Sequence, residues 1–228
     1  FEARLNVAAG LGNVNKLEEN ERHFRELLTI AERMNLQSME TVMLQNLGII
    51  RAELGALEDA EGLINAALTV ALRQGDPRVE GNCHHTLGVI DTRAGRFQSA
   101  EGHARLAVAN AVAAVRPLAV AGLAEALLGQ RRVGEALEQA REANRILEQQ
   151  GYVEDGEALV RLSLVECLLA AGDELAAREV GLRAYRRLIE RATAIDDPEL
   201  RKMFLTSFPD HRRTVELAAE LRVTGGAA

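Results

Sequence analysis

The residues best suited to acid–base or metal chemistry are two adjacent histidines, His84 and His85, preceded by Cys83. Imidazole and thiolate are common zinc ligands, and histidine titrates near neutral pH. Adjacent residues on a helix, however, point about 100° apart and cannot easily hold one ion together. His23 and His103 occupy equivalent places in the repeated pattern of the chain. We expect one of His84 and His85 to flank the helix and the other to face the groove of the array, and His23 and His103 to be surface or helix–helix contacts rather than catalysts.

The sequence carries no other catalytic signature. It has no GxxxxGKS or GxxxxGKT phosphate loop, no GxSxG, no HExxH and no CxxC. Its two cysteines, Cys83 and Cys167, lie far apart in the chain, which favours small buried side chains in a reducing, cytoplasmic compartment over a disulfide framework. We therefore predict no enzymatic activity, no cofactor and no metal site.

Composition and charge narrow the possible partners. Hydrophobic residues make up 47% of the 228-residue chain and aromatic residues 3%, with no Trp, so the core must be built from small and aliphatic side chains, which suits closely packed helices. The net charge of −7 argues against nucleic acid, which needs a basic face. No apolar run approaches the ~18 residues of a membrane span. Because the chain does not begin with Met, we expect it to be part of a longer polypeptide.

An internal repeat organises the chain. Residues 47–67 and 87–107 share eight identities in 21 positions, where composition alone would give roughly one or two. The identical pairs are Leu47/Leu87, Gly48/Gly88, Ile50/Ile90, Gly55/Gly95, Ala60/Ala100, Glu61/Glu101, Gly62/Gly102 and Ala67/Ala107. They place Leu-Gly on a first helix, a Gly at its end, and two Ala seven residues apart on one face of a second helix. Small side chains at those places let the two helices pack closely.

Further positions extend this pattern. Gly62 and Gly102 recur inside the second helix, where Gly costs about 1 kcal/mol relative to Ala, so their recurrence predicts another close backbone approach. A fainter copy, which aligns Leu123 with Leu87, has Arg131 where the turn Gly is expected, so its turn should differ in shape. Other faint copies fit before residue 36 and after residue 154.

The pattern predicts an all-α, right-handed superhelical solenoid of about five helix pairs. The pairs cover about 1–36, 37–76, 77–115, 117–152 and 154–195. Residues 197–228 should form capping helices and a frayed tail, because a solenoid needs an end that covers its last apolar face. Phe204 and Phe208 are among the apolar residues expected to do so.

The succession of Leu-Gly, turn residue, Ala and Ala resembles the tetratricopeptide repeat over residues 1–195. The step between copies is longer than the ~34 residues usual in that family. In this respect the chain is similar to the variant found in kinesin light chains and in bacterial regulatory ATPases. The segment from Asp197-Pro198 through Pro209 to Ala218 resembles the end of such arrays in large bacterial Ser/Thr kinases and multidomain signalling ATPases. That resemblance implies a sensor or scaffold region that is covalently linked to kinase or ATPase domains.

In the tetratricopeptide family the first helix of each pair lines a concave groove, and the matching register gives candidates for it here. They are Asn6, Val42, Gln45, Asn46, Ile49, Asn82, His85, Thr86, Val89, Glu125 and Glu166. Asn6 and Asn46 fall at the same place in successive copies and Thr86 continues the row; related arrays hold a peptide backbone with an Asn there, whose amide both donates and accepts. The alternative is that these residues only bridge neighbouring helices. The Lys/Arg clamp that chaperone-binding relatives use for a terminal carboxylate is missing at these places.

A second candidate surface is the basic face formed by Arg183, Arg187 and Arg191, with Arg186 beside it. It is either a solvated face that pairs with neighbouring glutamates or a docking surface for an acidic partner. Taken together, these features favour a protein- or peptide-binding scaffold in the regulatory or sensor region of a larger signalling protein. The alternative is a receptor whose groove closes around a small molecule or a signal peptide, which would require a deep polar pocket.

Overall fold

The computed structural model describes residues 14–151 and 156–224. Eleven α-helices and one 3₁₀ turn account for most of this part of the chain, and no strand occurs in it. The helices are α1 (Val14–Arg33), α2 (Gln37–Glu53), α3 (Leu57–Gln74), α4 (Pro77–Arg93), α5 (Phe97–Asn110), α6 (Arg116–Gly129), α7 (Val133–Gln150), α8 (Glu157–Ala170), α9 (Glu174–Thr193), α10 (Pro198–Thr206) and α11 (Pro209–Thr224). The predicted all-α class is confirmed. None of these helices is both long and apolar enough to cross a membrane.

The helices pack in the pairs α2–α3, α4–α5, α6–α7 and α8–α9. The first helix of each of these pairs ends in one kind of turn. Gly55, Gly95 and Gly172 have φ angles of 79°, 74° and 77°, in the left-handed region that Gly adopts at little cost. Arg131 closes α6 in the same way, with a φ of 61°. In all four turns the N–H of this residue donates to the carbonyl three residues before it. The prediction that the turn at Arg131 would differ in shape is therefore wrong, because the same backbone hydrogen bonds hold an Arg in the Gly conformation.

The two helices of a pair pack through small residues. Ala60 and Ala67 of α3 are fully buried. Gly48 of α2 lies so close to α3 that an added Cβ would come within 2.5 Å of the Ile64 side chain. The close approach predicted for the Leu-Gly and Ala positions is therefore present.

Gly62 and Gly102 do not contribute to this packing. Both are exposed, and a Cβ added to either would meet no atom within 4 Å. The prediction of a close backbone approach at these two glycines is wrong, because they lie on the outer faces of α3 and α5.

The first helices of successive pairs contact one another: α2 with α4, α4 with α6, and α6 with α8. The second helices α3, α5 and α7 pack instead against the first helices before and after them in the chain. Because the first helices lie closer together than the second helices do, the stack curves towards them. Their free sides therefore form the inner surface of the array.

The last two helices, α10 and α11, close the stack. The helix α11 packs on α8 and α9, and its Leu217 and Leu221 join the apolar core around α8. Leu221 lies over Gly181, where an added Cβ would be 2.7 Å from its side chain. Phe204 of α10 is 2% exposed and contacts the ring of His211 at a centroid distance of 4.4 Å. By this packing α11 takes the place of a further first helix and extends the inner surface.

Candidate binding groove

The inner surface is lined by the free sides of α2, α4, α6, α8 and α11. Ten of the eleven predicted groove residues lie in the described ranges, and Asn6 lies outside them. Val42 and Ile49 of α2 are 47% and 38% exposed. They are seven residues apart and so share one face of the helix. With the partly exposed Val89 of α4, they offer apolar contact points along α2 and α4.

Two asparagines of the inner surface keep their amides available. The side chains of Asn46 and Asn82 are partly exposed and form no hydrogen bond within the described part of the chain. Thr86 donates its hydroxyl proton to the Asn82 backbone carbonyl at 3.1 Å, which leaves the hydroxyl lone pairs as acceptors. Within the described ranges, no hydrogen bond supports the helix-bridging alternative for Asn46.

Gln45 and His85 do bridge neighbouring first helices. Gln45 donates from Nε2 to the Cys83 sulfur at 3.3 Å, which links α2 to α4. Cys83 is fully buried, and burial raises the pKa of its thiol, so the sulfur stays protonated. His85 lies against α6 at Gly122, where an added Cβ would be 3.6 Å from Nδ1. Both bridging side chains remain partly exposed at the groove.

One repeat position changes character along the groove. Ile49, Val89, Glu125 and Glu166 follow one another in the register that relates successive repeats. They lie on α2, α4, α6 and α8, and each is at least partly exposed. Because this position is apolar in two pairs and acidic in the next two, it divides the inner surface into a neutral half on α2 and α4 and an acidic half on α6, α8 and α11.

Glu125 is the central group of the acidic half. Its carboxylate forms no hydrogen bond or ion pair with any described residue. Burial raises its pKa to about 8, and the nearby charges of Glu166 and Asp210 act in the same direction, whereas Arg93 opposes them. A carboxyl group with this pKa is largely protonated at neutral pH, and a cation placed beside it would restore its charge.

The helix α11 completes the acidic half. Arg213 lies 3.6 Å from the Glu166 carboxylate. Burial raises the pKa of Glu166, and Arg213 partly offsets that rise. The adjacent Cys167 is fully buried, and burial together with the two glutamates raises the pKa of its thiol to about 12. Both cysteines are thus unpaired buried thiols, as the sequence predicts.

Three charged residues of this site were not predicted from the sequence. Asp210 and Arg213 belong to α11, which the repeat assigns to the cap rather than to the groove. Arg93 is the last residue of α4 and donates to Glu53 at 2.7 Å. In the sequence it therefore resembles an ordinary basic residue that forms an ion pair at a helix end. The signal that points to Asp210 and Arg213 is the packing of α11 in the place of a first helix, which appears only in three dimensions.

The basic face of α9 is tied to α8 rather than free. Arg187 donates to Glu157 at 3.0 Å, and Arg191 lies 3.5 Å from the other oxygen of the same carboxylate. Glu157 is only 4% exposed, so these arginines neutralise a buried charge. Arg183 is 3.9 Å from Glu179. Arg187 and Arg191 are therefore structural, whereas Arg183 and Arg186 remain exposed on this face.

A cavity of about 240 Å³ lies away from the groove, between α7, α8 and α9. Its lining consists of Asn144, Glu148, Arg161, Val180 and Arg183. The Asn144 Oδ1 atom is buried and has no hydrogen-bond partner in the described ranges. Because this cavity lies outside the inner surface, it is not the closed groove that a receptor would need. In the same ranges no three His, Cys, Asp or Glu residues come together as metal ligands.

No protein-family model matches the sequence, and no curated protein does. Solved structures are similar in fold. BtubC (BKLC) from P. vanneervenii is 18% identical with a TM-score of 0.62 over 93% of each chain. The kinesin light chain TPR-like repeats of Podosopora anserina are 15% identical with a TM-score of 0.60, covering 80% of this chain and 92% of that one. A Rap protein complexed with competence and sporulation factor is 13% identical with a TM-score of 0.60, covering 91% of this chain and 74% of that one. The fold is that of a tetratricopeptide-like repeat array.

Proposed function

We propose that the chain is a non-catalytic scaffold that binds an extended segment of a protein or peptide along the inner surface of α2, α4, α6, α8 and α11. The observation that carries the proposal is the division of this surface into two halves at one repeat position. Ile49 and Val89 offer apolar contact at one end, and Glu125 and Glu166 offer carboxyl groups at the other.

The available amides fit a peptide backbone. An extended segment leaves its N–H and C=O groups unpaired, and a buried peptide group without a partner costs roughly 1–3 kcal/mol. Asn46 and Asn82 each carry a donor pair and an acceptor that the described chain does not use. Helix-lined grooves recognise segments by such backbone bonds together with side-chain anchors.

The acidic half favours a cationic anchor. A Lys or Arg side chain, or an amino terminus, placed between Glu125 and Glu166 would stabilise the charge on Glu125 that burial, together with the repulsion from Glu166 and Asp210, disfavours. The opposite preference, for an acidic chain end, lacks the basic clamp it would need. The Rap protein of similar fold is described as complexed with competence and sporulation factor, which supports ligand binding by a fold of this kind.

We further propose that the chain is the sensor or scaffold region of a larger signalling protein. The support for it is the resemblance of Asp197-Pro198 and the segment up to Ala218 to the ends of arrays in large bacterial kinases and signalling ATPases. The complete open reading frame tests this setting. A kinase or ATPase domain on the same polypeptide would support it, and a reading frame without either would refute it.

The binding function is tested by selecting peptides from a random phage-displayed dodecapeptide library and measuring their affinities by titration calorimetry. We expect selected peptides to carry an apolar cluster and a Lys or Arg. The double substitution Glu125→Gln and Glu166→Gln should weaken them about tenfold, which corresponds to ~1.4 kcal/mol. The matched control is Glu138→Gln, an exposed glutamate of α7. If no peptide is enriched, or if the double variant binds as the wild type does, the proposal fails.

A further inference from the structure

Two histidines meet at the contact between α4 and α5. His84 is 8% exposed, and its ring stacks on that of His103 with centroids 5.2 Å apart and an angle of 29° between the planes. The two Nδ1 atoms are 3.1 Å apart, which is a hydrogen-bond distance. One ring must therefore carry its proton on Nδ1 and the other must accept there with a lone pair.

This geometry limits the charge that the pair can hold. Both rings can be neutral, or one can be an imidazolium that donates to the other. A second added proton would place two N–H groups opposite each other at 3.1 Å, with two like charges in a mostly buried contact. The pair can thus accept one further proton but not two while α4 and α5 stay in place.

The charged neighbours stabilise one positive charge. Glu80 of α4 lies 3.9 Å from Nε2 of His84, and Asp91 of α4 lies 4.0 Å from Nε2 of His103. Asp91 is also bound by Arg96 of the following turn at 2.6 Å, and Arg96 in turn binds Glu61 of α3. On the side of α4 that packs on α2, Cys83 makes a neutral contact with Gln45. On the side that packs on α6, the ring of His85 lies over Gly122.

The preceding helix pair shows that the fold does not need histidines here. In the register that aligns Leu47 with Leu87, His84 and His103 correspond to Leu44 and Leu63. Leu44 is 7% exposed, and both leucines pack in the apolar core between α2, α3 and α4. An ordinary apolar contact has therefore been exchanged for a titrating one in the α4–α5 pair.

We propose that the His84–His103 pair is a proton-sensitive contact through which mild acid loosens α4 from α5. Because α4 presents His85 and Val89 to the inner surface, loosening it changes the middle of the groove. The direction in which pH changes the folding stability follows from proton binding. Burial and the neighbouring His103 lower the pKa of His84 below its ordinary value, with Glu80 opposing them. The unfolded chain therefore binds more protons than the folded chain below about pH 6.5, and stability falls as the pH falls through that range.

The first measurement uses the unmodified chain. Long-range ¹H–¹⁵N correlation spectra report the protonation of each ring nitrogen. At about pH 7.5 we expect one ring of the pair to be protonated on Nδ1 and the other on Nε2. On acidification the pair should take up one proton readily and the second only with the loss of folded signals from α4 and α5. Two rings that titrate independently near the ordinary histidine pKa in an unchanged fold would overturn the proposal.

The second measurement uses a variant that copies the preceding pair, His84→Leu with His103→Leu. Between about pH 7.5 and pH 5.5 the melting temperature of the wild type should fall by roughly 3–6 °C more than that of the variant. The control is His23→Leu, which removes an exposed histidine and should keep the wild-type response. An equal acid response in the wild type and the double variant would overturn the proposal; if the double variant does not fold, the ring titration in the unmodified chain decides.

Discussion

The neutral and acidic halves of the groove are built on the same repeat frame but differ in what they leave unsatisfied. In the neutral half, Ile49 projects an apolar side chain that is 38% exposed. In the acidic half, the equivalent Glu125 carries a carboxylate with a raised pKa and no ion pair in the described ranges. The recurrent residues Leu47/Leu87 and Ala60/Ala100 pack the helices, whereas the repeat position of Ile49 and Glu125 changes on the free side. Each half carries a local cost that a bound segment would remove, and such costs are typical of functional surfaces.

The largest effect is expected from a change that damages only the acidic half. Phe204→Ala should lower the free energy of unfolding by about 3–5 kcal/mol, because Phe204 is buried against His211 and helps to hold α11, which carries Asp210 and Arg213. Urea unfolding measures the loss, and hydrogen exchange should show faster exchange in α8–α11 than in α2–α4. The control is Leu175→Ala, at a side chain that is 83% exposed. A loss below about half a kcal/mol would show that Phe204 is not a core residue.

A smaller effect on stability is expected from Glu125→Gln, and its size depends on pH. The folded-state pKa of about 8 is above the ordinary value of 4.5, so the folded chain holds this proton more tightly. The resulting stability is fully present below the ordinary value and is lost as the pH rises towards 8 and beyond. The substitution should therefore stabilise the protein by about 1–3 kcal/mol at high pH, after allowance for partial exposure, and change little in acid.

Melting curves recorded on both sides of the raised pKa check this prediction. Glu138→Gln makes the same change of charge on the outer surface and should have no such pH dependence. If Glu125→Gln destabilises the protein at high pH, Glu125 has a structural partner and the two halves of the groove do not differ in the way described.

The neutral half was the easier one to predict from the sequence. Its residues lie in the two repeats that share most identities, so the register that gives Asn46 and Val89 is well determined. Glu125 and Glu166 follow from the same register in fainter copies. The helix class and the turns at Gly55 and Gly95 are local properties of Ala, Leu and Gly, which a sequence displays directly.

Other features depend on packing between distant segments and could not be predicted in this way. The left-handed turn at Arg131 repeats the hydrogen bonds of its neighbours although the residue type disfavours it. The recurrent Gly62 and Gly102 suggested contact but face open space. The contribution of α11 to the groove depends on how the last two helices dock on α8 and α9, which no repeated pattern records.

In the neutral half we expect an effect on binding and almost none on stability. Asn46→Ala should weaken a selected peptide by about 1–2 kcal/mol, because the amide is available to pair with the peptide backbone. Its effect on unfolding should stay within about half a kcal/mol. The matched control is Asn65→Ala, at an exposed asparagine of α3. A large fall in melting temperature with unchanged affinity would mean that Asn46 bridges helices instead.

The smallest expected effect is the dependence of peptide affinity on salt concentration, which should come from the acidic half of the groove. Raising sodium chloride from about 50 mM to about 500 mM should weaken a peptide with a cationic anchor only a few-fold, since the site is partly buried and charges within a few ångströms are incompletely screened. The same titration on the Glu125→Gln and Glu166→Gln variant should show a smaller change. Equal salt dependence in both proteins would place the cationic anchor somewhere other than the acidic half.

The central claim is that ligands bind to the inner surface, and site-specific photocrosslinking tests it most directly. A benzophenone amino acid is placed at the position of Ile49 on the inner surface in one protein, and at the position of Leu72, which is 57% exposed on α3, in another. Each is irradiated with a peptide selected from the dodecapeptide library. We expect a crosslinked product, identified by mass spectrometry, from the protein modified at position 49 and none from the protein modified at position 72. A product at position 72 alone would contradict the account, because the ligand would then bind to the outer face of the array.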